Sequence, residues 1–192
     1  MSASWTPDTG PGPHEPGGAA LVLIDLQEKL APHIDGIGEA LENVRKLLAL
    51  AKLIDLPVLL TTQYAKGLGP TVPAVAEALD VEPIDKICFG CFRDEGFLKA
   101  LDERVGPRAT LLLAGVETHI CVLQTALGAL AAGRSTHVLA DAAGSRSRAN
   151  HELGLARMRQ AGCVISSTEM AIYELLGDSR RPEFKQMLPY LK

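Results

Sequence analysis

The chain has 192 residues and a formal net charge of −4. That length suits one ordinary domain. The negative balance argues against a nucleic-acid partner, because phosphate binding needs a clustered excess of Lys and Arg. No apolar run approaches the roughly 18 residues that a membrane helix needs, so no membrane partner is expected either.

Residues 1–18 lack the basic and apolar blocks of a signal peptide, and the chain carries four cysteines. Reduced thiols and a cytoplasmic location are the default for such a sequence. The same 18 residues are rich in Pro, Gly, Ser and Thr and predict a flexible leader. An alternative is an arm that orders against a neighbouring subunit. A single domain is predicted over residues 19–192.

Aliphatic runs alternate with helical patterns throughout that domain. Only 4% of the residues are aromatic, so Leu, Ala, Val and Ile must form the core, as in buried parallel strands. Six strands joined by helices imply right-handed crossovers and a doubly wound, Rossmann-like α/β sheet with helices on both faces. The predicted strands cover 20–25, 57–63, 83–89, 109–115, 136–141 and 163–167. The predicted helices cover 36–54, 74–79, 95–105, 118–132, 150–161 and 168–176, and 66–73 is predicted as a loop.

The segment GVETHICV, residues 115–122, carries the strongest local signal. A strand ends there, a tight turn follows, and a helix begins with Cys121 in its first turns. The positive end of the helix dipole is expected to lower the pKa of that thiol, and free backbone N–H groups can bind an oxyanion. A cysteine between Ile120 and Val122 is also typical of a small core residue, so the segment alone does not identify a nucleophile.

A nucleophilic thiol needs a base or a positive neighbour. Asp25 ends the first aliphatic run and could accept the thiol proton; the alternative is a helix cap or a loop ion pair. Lys86, in DKICF, could stabilise a thiolate and a negatively charged intermediate. The alternative for Lys86 is a surface lysine whose stem packs on apolar neighbours. Since ligands bind beyond the carboxyl ends of such strands, both residues lie where a site is expected.

The runs LVLIDLQ, DKICF and GVETHICV, in this order, resemble the three signatures of the isochorismatase-like hydrolases. The resemblance covers most of the chain and implies a six-stranded parallel sheet with strand order 3-2-1-4-5-6. It implies a catalytic triad of Asp25, Lys86 and Cys121. It also implies a cis peptide bond between Val116 and Glu117, which would aim the N–H groups of Glu117 and Cys121 at the substrate oxygen.

The sequence is most similar to the small isochorismatase-domain-containing proteins of unassigned substrate, whose STE run it shares. By that resemblance Gln63 is a candidate amide-binding residue; the alternative is that it only caps its strand. Gln27, Phe89 and His119 are further candidates for substrate contact. His119 and Cys121 lie two positions apart and point to different sides of a helix, so no Cys–His dyad is expected.

Nicotinamidases of this family carry an Asp-x-His pair and another His near the second strand, and these hold a metal. Here that region reads TTQYAKGLGPTVPAV, without His or Asp, so no metal and no other cofactor is expected. Cys88 and Cys91 form a C-x-x-C motif, which can mean redox chemistry or half a zinc site. No second pair follows at metal spacing, and a thioredoxin motif would open a helix after the first strand.

These observations predict a metal-independent cysteine hydrolase that cleaves a C–N bond of a small, amide-like molecule through a thioester. One alternative is an isochorismatase-type vinyl-ether hydrolase, which need not form a thioester. Another is a non-catalytic, oligomeric binding protein that keeps the fold. The aliphatic helix faces, and still more the resemblance, predict a dimer or larger homo-oligomer. The loop over residues 65–73 is expected to set specificity.

Overall fold

The computed structural model describes residues 18–191. Of the predicted leader, only Gly18 is among them, and its carbonyl accepts a hydrogen bond from the N–H of Thr110 at 2.9 Å. The rest of that prediction lies outside the described residues. Within residues 18–191, no helix is both long and apolar enough to cross a membrane.

Six parallel strands form one sheet, and their order confirms the predicted topology. The sheet runs β3-β2-β1-β4-β5-β6, and every neighbouring pair is parallel. The predicted third strand is shorter than expected, because pairing stops before the Gly-containing turn that follows it. The strands are β1 (Ala19–Ile24), β2 (Val58–Gln63), β3 (Ile84–Lys86), β4 (Thr110–Val116), β5 (Thr136–Gly144) and β6 (Val164–Ser166).

Helices cover both faces of the sheet, as predicted. Two helices were not predicted: Ala65–Leu68 (α2), where a loop was expected, and Pro182–Leu191 (α8). Pro182 opens α8, which is where proline favours a helix, and the buried Met187 packs it onto the core. The helices are α1 (Ile37–Leu53), α2 (Ala65–Leu68), α3 (Pro73–Ala76), α4 (Glu95–Arg104), α5 (Leu123–Ala131), α6 (Arg148–Ala161), α7 (Thr168–Leu176) and α8 (Pro182–Leu191).

Strand β1 is buried on both faces, so its alternate side chains enter two different cores. Leu21 and Leu23 pack in the core that α1, α7 and α8 complete. Val22 and Ile24 pack in the core that α4, α5 and α6 complete. Burial of each such side chain contributes about 1.5–3 kcal/mol. The continuous aliphatic run is therefore what fixes β1 at the centre of the sheet.

The strand order reverses between β1 and β4. In sheets of this kind ligands bind beyond the carboxyl ends of the two strands at the reversal, a region called the crevice here. Gly115 lets the strands approach each other at this edge. Its φ is +119°, and a Cβ there would lie 2.1 Å from the carbonyl oxygen of Ile24. Only glycine fits this position, and the chain that continues beyond it forms one wall of the crevice.

Candidate functional site

Asp25 directly follows β1 and lies at the bottom of the crevice. Its side chain is fully buried, and its backbone adopts a left-handed conformation with φ of 53°. The hydroxyl of Thr61 donates a hydrogen bond to Asp25 Oδ1 at 2.8 Å. A buried carboxylate is stable only when such partners replace its water. Asp25 therefore presents an oriented carboxylate rather than a helix cap.

Lys86 is the last residue of β3, and it is also fully buried. Its Nζ donates to Asp25 Oδ2 at 2.7 Å and to Gln63 Oε1 at 2.9 Å. Burial by itself lowers the pKa of Lys86, but the charge of Asp25 and the neighbouring thiols Cys121 and Cys91 outweigh it and the pKa is raised. Lys86 is thus a buried, paired cation and not the surface lysine of the alternative interpretation.

Cys121 lies in a π-helical turn, Thr118–Val122, that precedes α5. The N–H of Val122 donates to the carbonyl of Glu117 at 3.2 Å, five residues back. The prediction of one regular helix over 118–132 is therefore wrong in its first turn, because this wider turn comes first. The peptide bond between Val116 and Glu117 is cis.

The Cys121 thiol does not have the lowered pKa that the helix dipole predicted. Burial raises the pKa, the negative charge of Asp25 raises it further, and the Lys86 ammonium only partly offsets these effects. The side chain is 7% exposed, so the dipole acts on a group with little water to stabilise its thiolate. At rest the thiol is protonated, and it lies close enough to Asp25 and Lys86 to respond to both charges.

Cys91 is a second thiol beside the same charges. It is fully buried, and its backbone N–H donates to the Thr125 hydroxyl at 3.1 Å. Burial raises the pKa of Cys91 to about 12, against an opposing effect of Lys86. Cys88, the other residue of the C-x-x-C motif, is half-buried, and both thiols are free. The motif therefore places Cys91 in the core next to Lys86, a role that the spacing alone did not indicate.

The raised pKa of Cys91 predicts that stability falls as the pH rises above about 9, because the unfolded thiol then loses its proton while the folded thiol keeps it. Below that pH the thiol does not lower the free energy of unfolding. Above it, one such thiol lowers the free energy of unfolding by up to ~1.4 kcal/mol per pH unit. Urea denaturation between about pH 8 and 10 measures this slope. The Cys91→Ala protein should show a shallower slope; equal slopes in both proteins would contradict the prediction.

Glu117 holds the turn that leads to Cys121. Its carboxylate accepts from the backbone N–H of Arg146 at 3.1 Å and pairs with Arg146 Nε at 2.9 Å. His119 Nδ1 lies 3.0 Å from Ser145 Oγ on the same side. A Cβ on Gly154 of α6 would lie 3.0 Å from the Cα of His119, so the helix packs directly against this turn. No local pattern in the sequence predicts these side-chain contacts.

The four residues predicted to contact substrate have different environments. The amide groups of Gln27 and Gln63 are both buried and already bonded to protein groups. Phe89 is 53% exposed and lies beyond the end of β3. The side chain of His119 is 22% exposed, and one ring nitrogen is taken by Ser145. Substrate contact by these residues stays a prediction.

The His, Cys, Asp and Glu side chains of residues 18–191 form no group of three that could hold a metal ion. The crevice instead brings together a carboxylate, an ammonium and a thiol, from the ends of β1 and β3 and from the turn after β4. A carboxylate can accept a proton, and an ammonium can stabilise negative charge. This arrangement can therefore support nucleophilic attack by sulfur.

The isochorismatase domain family matches residues 19–170 of the chain. Isochorismatase domain-containing protein 2A of Mus musculus is 39% identical over 180 residues, which are 92% of this chain and 84% of the mouse protein. The secreted isochorismatase effector Isc1 of Phytophthora sojae is 35% identical over 181 residues, 92% of this chain and 86% of the effector.

Solved structures share the fold over nearly the whole chain. The MAR1 ribonuclease of Caenorhabditis elegans is 36% identical with a TM-score of 0.83, covering 92% of this chain and 90% of that one. YcaC of Escherichia coli, described as an octameric hydrolase of unknown specificity, is 28% identical with a TM-score of 0.85 and coverage of 97% and 95%. YcaC of Pseudomonas aeruginosa, solved with hexane-2,5-diol and covalent acrylamide, is 28% identical with a TM-score of 0.86 and coverage of 97% and 93%.

The family match spans most of the chain, and the mouse relative is 39% identical in sequence. The strand order of the sheet is the one that the resemblance implied. The chain belongs to the isochorismatase-like hydrolase family.

Proposed function

We propose that the protein is a metal-independent cysteine hydrolase in which Cys121 is the nucleophile, Asp25 the general base and Lys86 the stabilising cation. The observation that carries this proposal is the fully buried ion pair, 2.7 Å between Lys86 Nζ and Asp25 Oδ2, next to a thiol. Burying such a pair costs several kcal/mol of desolvation per ion and is weak support for stability. Strongly perturbed titratable groups in a crevice are instead typical of a catalytic site.

The raised thiol pKa determines how the first step must proceed. Because Cys121 is protonated at rest, its proton passes to Asp25 as the sulfur attacks the carbonyl carbon and the S–C bond forms. The protonated Asp25 then gives this proton to the leaving amine as the C–N bond breaks, which leaves a thioester. Water attacks the thioester and delivers one proton to Asp25, the acid is released, and the proton returns to Cys121.

The negative charge of the intermediate develops on the former carbonyl oxygen. In the proposal, the backbone N–H groups of Glu117 and Cys121 bind this oxyanion. The ion pair of Glu117 with Arg146 supports the role, because it fixes the residue that would aim the first N–H group. Lys86 adds positive charge, which solvent screens poorly because the residue is fully buried.

A small substrate is favoured because Cys121 is only 7% exposed. A C–N bond is favoured because an amine is a poor leaving group without a proton, and the protonated Asp25 supplies one. The covalent acrylamide in the structure of the Pseudomonas aeruginosa neighbour supports a site that reacts with small electrophiles. The vinyl-ether alternative stays open, since hydrolysis of such a substrate need not form a thioester.

The experiment that tests this proposal is a screen of small amides, ureas and vinyl ethers, with mass spectrometry of the acid-quenched protein. An amide substrate should add its acyl mass to Cys121 of the intact protein, because the thioester accumulates whenever its hydrolysis is the slower step. The Cys121→Ala protein is the control and should gain no mass. Turnover of a vinyl ether alone, with no adduct, would contradict the thioester route.

An RNA oligonucleotide belongs in the same screen, because one structural neighbour is described as a ribonuclease. The net charge of −4 predicts that this RNA stays intact.

A homo-oligomer is also part of the proposal. The large apolar side chains Tyr64, Ile87 and Phe89, which follow β2 and β3, are exposed, and the Escherichia coli neighbour is described as octameric. The cytoplasmic location stays a prediction.

A further inference from the structure

Five buried polar side chains form one hydrogen-bonded chain beneath the crevice, and the proposed mechanism uses only two of them. None of the five residues is more than 8% exposed. The chain runs from Gln27 to the backbone of Gln63, from the Gln63 side chain to Lys86, from Lys86 to Asp25 and from Asp25 to Thr61. Buried polar residues are costly, so those without a catalytic role need another explanation.

The amide of Gln63 is oriented by its own two contacts. Its Nε2 donates to the carbonyl of Ile87 at 2.6 Å, and its Oε1 accepts from Lys86 Nζ at 2.9 Å. A flipped amide would place an NH₂ group against the ammonium and an oxygen against the Ile87 carbonyl, and neither contact could form a hydrogen bond. The oxygen of Gln63 therefore faces Lys86.

Gln27 fixes the backbone that carries Gln63. Its Oε1 accepts the Gln63 N–H at 2.8 Å, and its Nε2 donates to the Gln63 carbonyl at 3.2 Å and to the Gly69 carbonyl at 2.7 Å. These contacts join the ends of β1 and β2 to the loop after α2. The position of the Gln63 oxygen is thus determined from both its side chain and its main chain.

An ammonium has three N–H donors. Asp25 and Gln63 accept two of those of Lys86. The remaining donor is available to the thiol or to a substrate oxygen. A second carboxylate in place of Gln63 would hold the cation equally well but would cancel its positive charge. A neutral amide oxygen holds Lys86 without reducing the field that acts on Cys121.

We propose that Gln63 is a positioning residue, whose neutral, locked amide oxygen directs the Lys86 ammonium toward the reacting sulfur, with Gln27 fixing Gln63 in turn. This inference rests on the proposed function and adds the residue that makes Lys86 effective. Gln63 acts only through Lys86 and is not expected to touch the substrate. This proposal differs from the sequence-based expectation that Gln63 binds a substrate amide.

The test measures the rate at which acrylamide alkylates Cys121 in the folded protein, by peptide mapping, with Cys88 as the internal reference. Gln63→Met keeps the length of the side chain but removes the acceptor. Gln63→Glu keeps an acceptor and adds a charge. Asn43→Leu is the matched control: Asn43 is a buried amide outside the crevice that accepts from Lys46 Nζ at 3.1 Å and donates to the Asp141 carbonyl.

Gln63→Met should slow alkylation of Cys121 about tenfold, the effect of removing a hydrogen bond to a charged group. In Gln63→Glu, the pH at which the alkylation rate of Cys121 begins to increase should be higher by about one pH unit, because the added negative charge disfavours the thiolate. Asn43→Leu should change neither. A structural role for Gln63 would lower stability without moving the pH profile.

A slowing of less than about threefold in folded Gln63→Met, or an equal slowing in Asn43→Leu, would overturn the inference. If Gln63→Met does not fold, the profile of Gln63→Glu decides, and a shift below about half a pH unit overturns it. The wild-type protein tests the proposed function separately. If its Cys121 reacts no faster than Cys163, that function fails and takes the role of Gln63 with it.

Discussion

Replacing Asp25 by asparagine is expected to lower turnover at least about a thousandfold, because a positioned general base contributes about 10²–10⁴. Asparagine has the same shape and can still accept from Thr61, so the geometry is retained while the base is lost. The change also leaves Lys86 buried without its counter-charge, which should cost about 3–5 kcal/mol of stability. Hydrolysis assays and urea denaturation measure the two effects.

The double variant Asp25→Asn, Lys86→Met separates these two effects. Removing both charges takes away the desolvation cost together with the pairing, so most of the lost stability should return. Turnover should be no higher than in the single variant, because neither the base nor the cation is present. Turnover within tenfold of wild type in Asp25→Asn would show that Asp25 does not accept the proton.

Replacing Cys121 by alanine is expected to reduce turnover to the uncatalysed background, because Cys91, the other thiol beside these charges, is fully buried. Stability should change by only about 1 kcal/mol, since the change removes one buried sulfur atom and Asp25 keeps its hydrogen bonds with Thr61 and Lys86. Hydrolysis rates and urea denaturation, measured on the same preparation, test both parts of this prediction.

Cys163→Ala is the matched control for that variant. Cys163 is 4% exposed and packs in the same core as Cys121, but it lies just before β6, away from Asp25 and Lys86. It should lose a similar amount of stability and keep full turnover. Substantial turnover by Cys121→Ala would rule out the thioester and favour the vinyl-ether reaction, which need not form a bond to sulfur.

The fold could be predicted because its strongest determinant is local. The aliphatic run of β1 is buried on both faces, which is possible only at the centre of a sheet covered by helices on both sides. The order of the strands came from resemblance and not from this pattern. Helix α8 was missed because its stability comes from packing against α1 more than from its own sequence, which includes Pro189.

The convergence of Asp25, Lys86 and Cys121 was also predictable, since residues at the carboxyl ends of parallel strands meet at one edge. The pKa of Cys121 could not be predicted from the sequence. The helix dipole can be inferred from sequence, but burial and the distance to a carboxylate 96 positions away depend on the whole fold. Here burial and the charge of Asp25 raise the pKa of Cys121, so the thiol is protonated at rest.

The role proposed for Gln63 was not predictable for a related reason. Its three hydrogen-bond partners are the Lys86 side chain, the Ile87 carbonyl and the amide of Gln27, the last 36 positions away. Three of these four hydrogen bonds involve backbone atoms, whose positions no side-chain pattern reveals. From the sequence alone, a glutamine at the end of a strand is equally consistent with an amide that binds substrate and with an amide that positions a neighbouring side chain.

The pH dependence of Cys121 alkylation by acrylamide tests most directly whether a neighbouring carboxylate, and not solvent hydroxide, takes the proton from sulfur. With Asp25 as the base, the rate should be nearly constant from about pH 6 to 8.5, while the rate at Cys88 rises about tenfold per pH unit, as for an ordinary thiol. In Asp25→Asn the Cys121 rate should become as steep as that of Cys88. A wild-type Cys121 rate that already climbs in parallel with Cys88 would contradict the account.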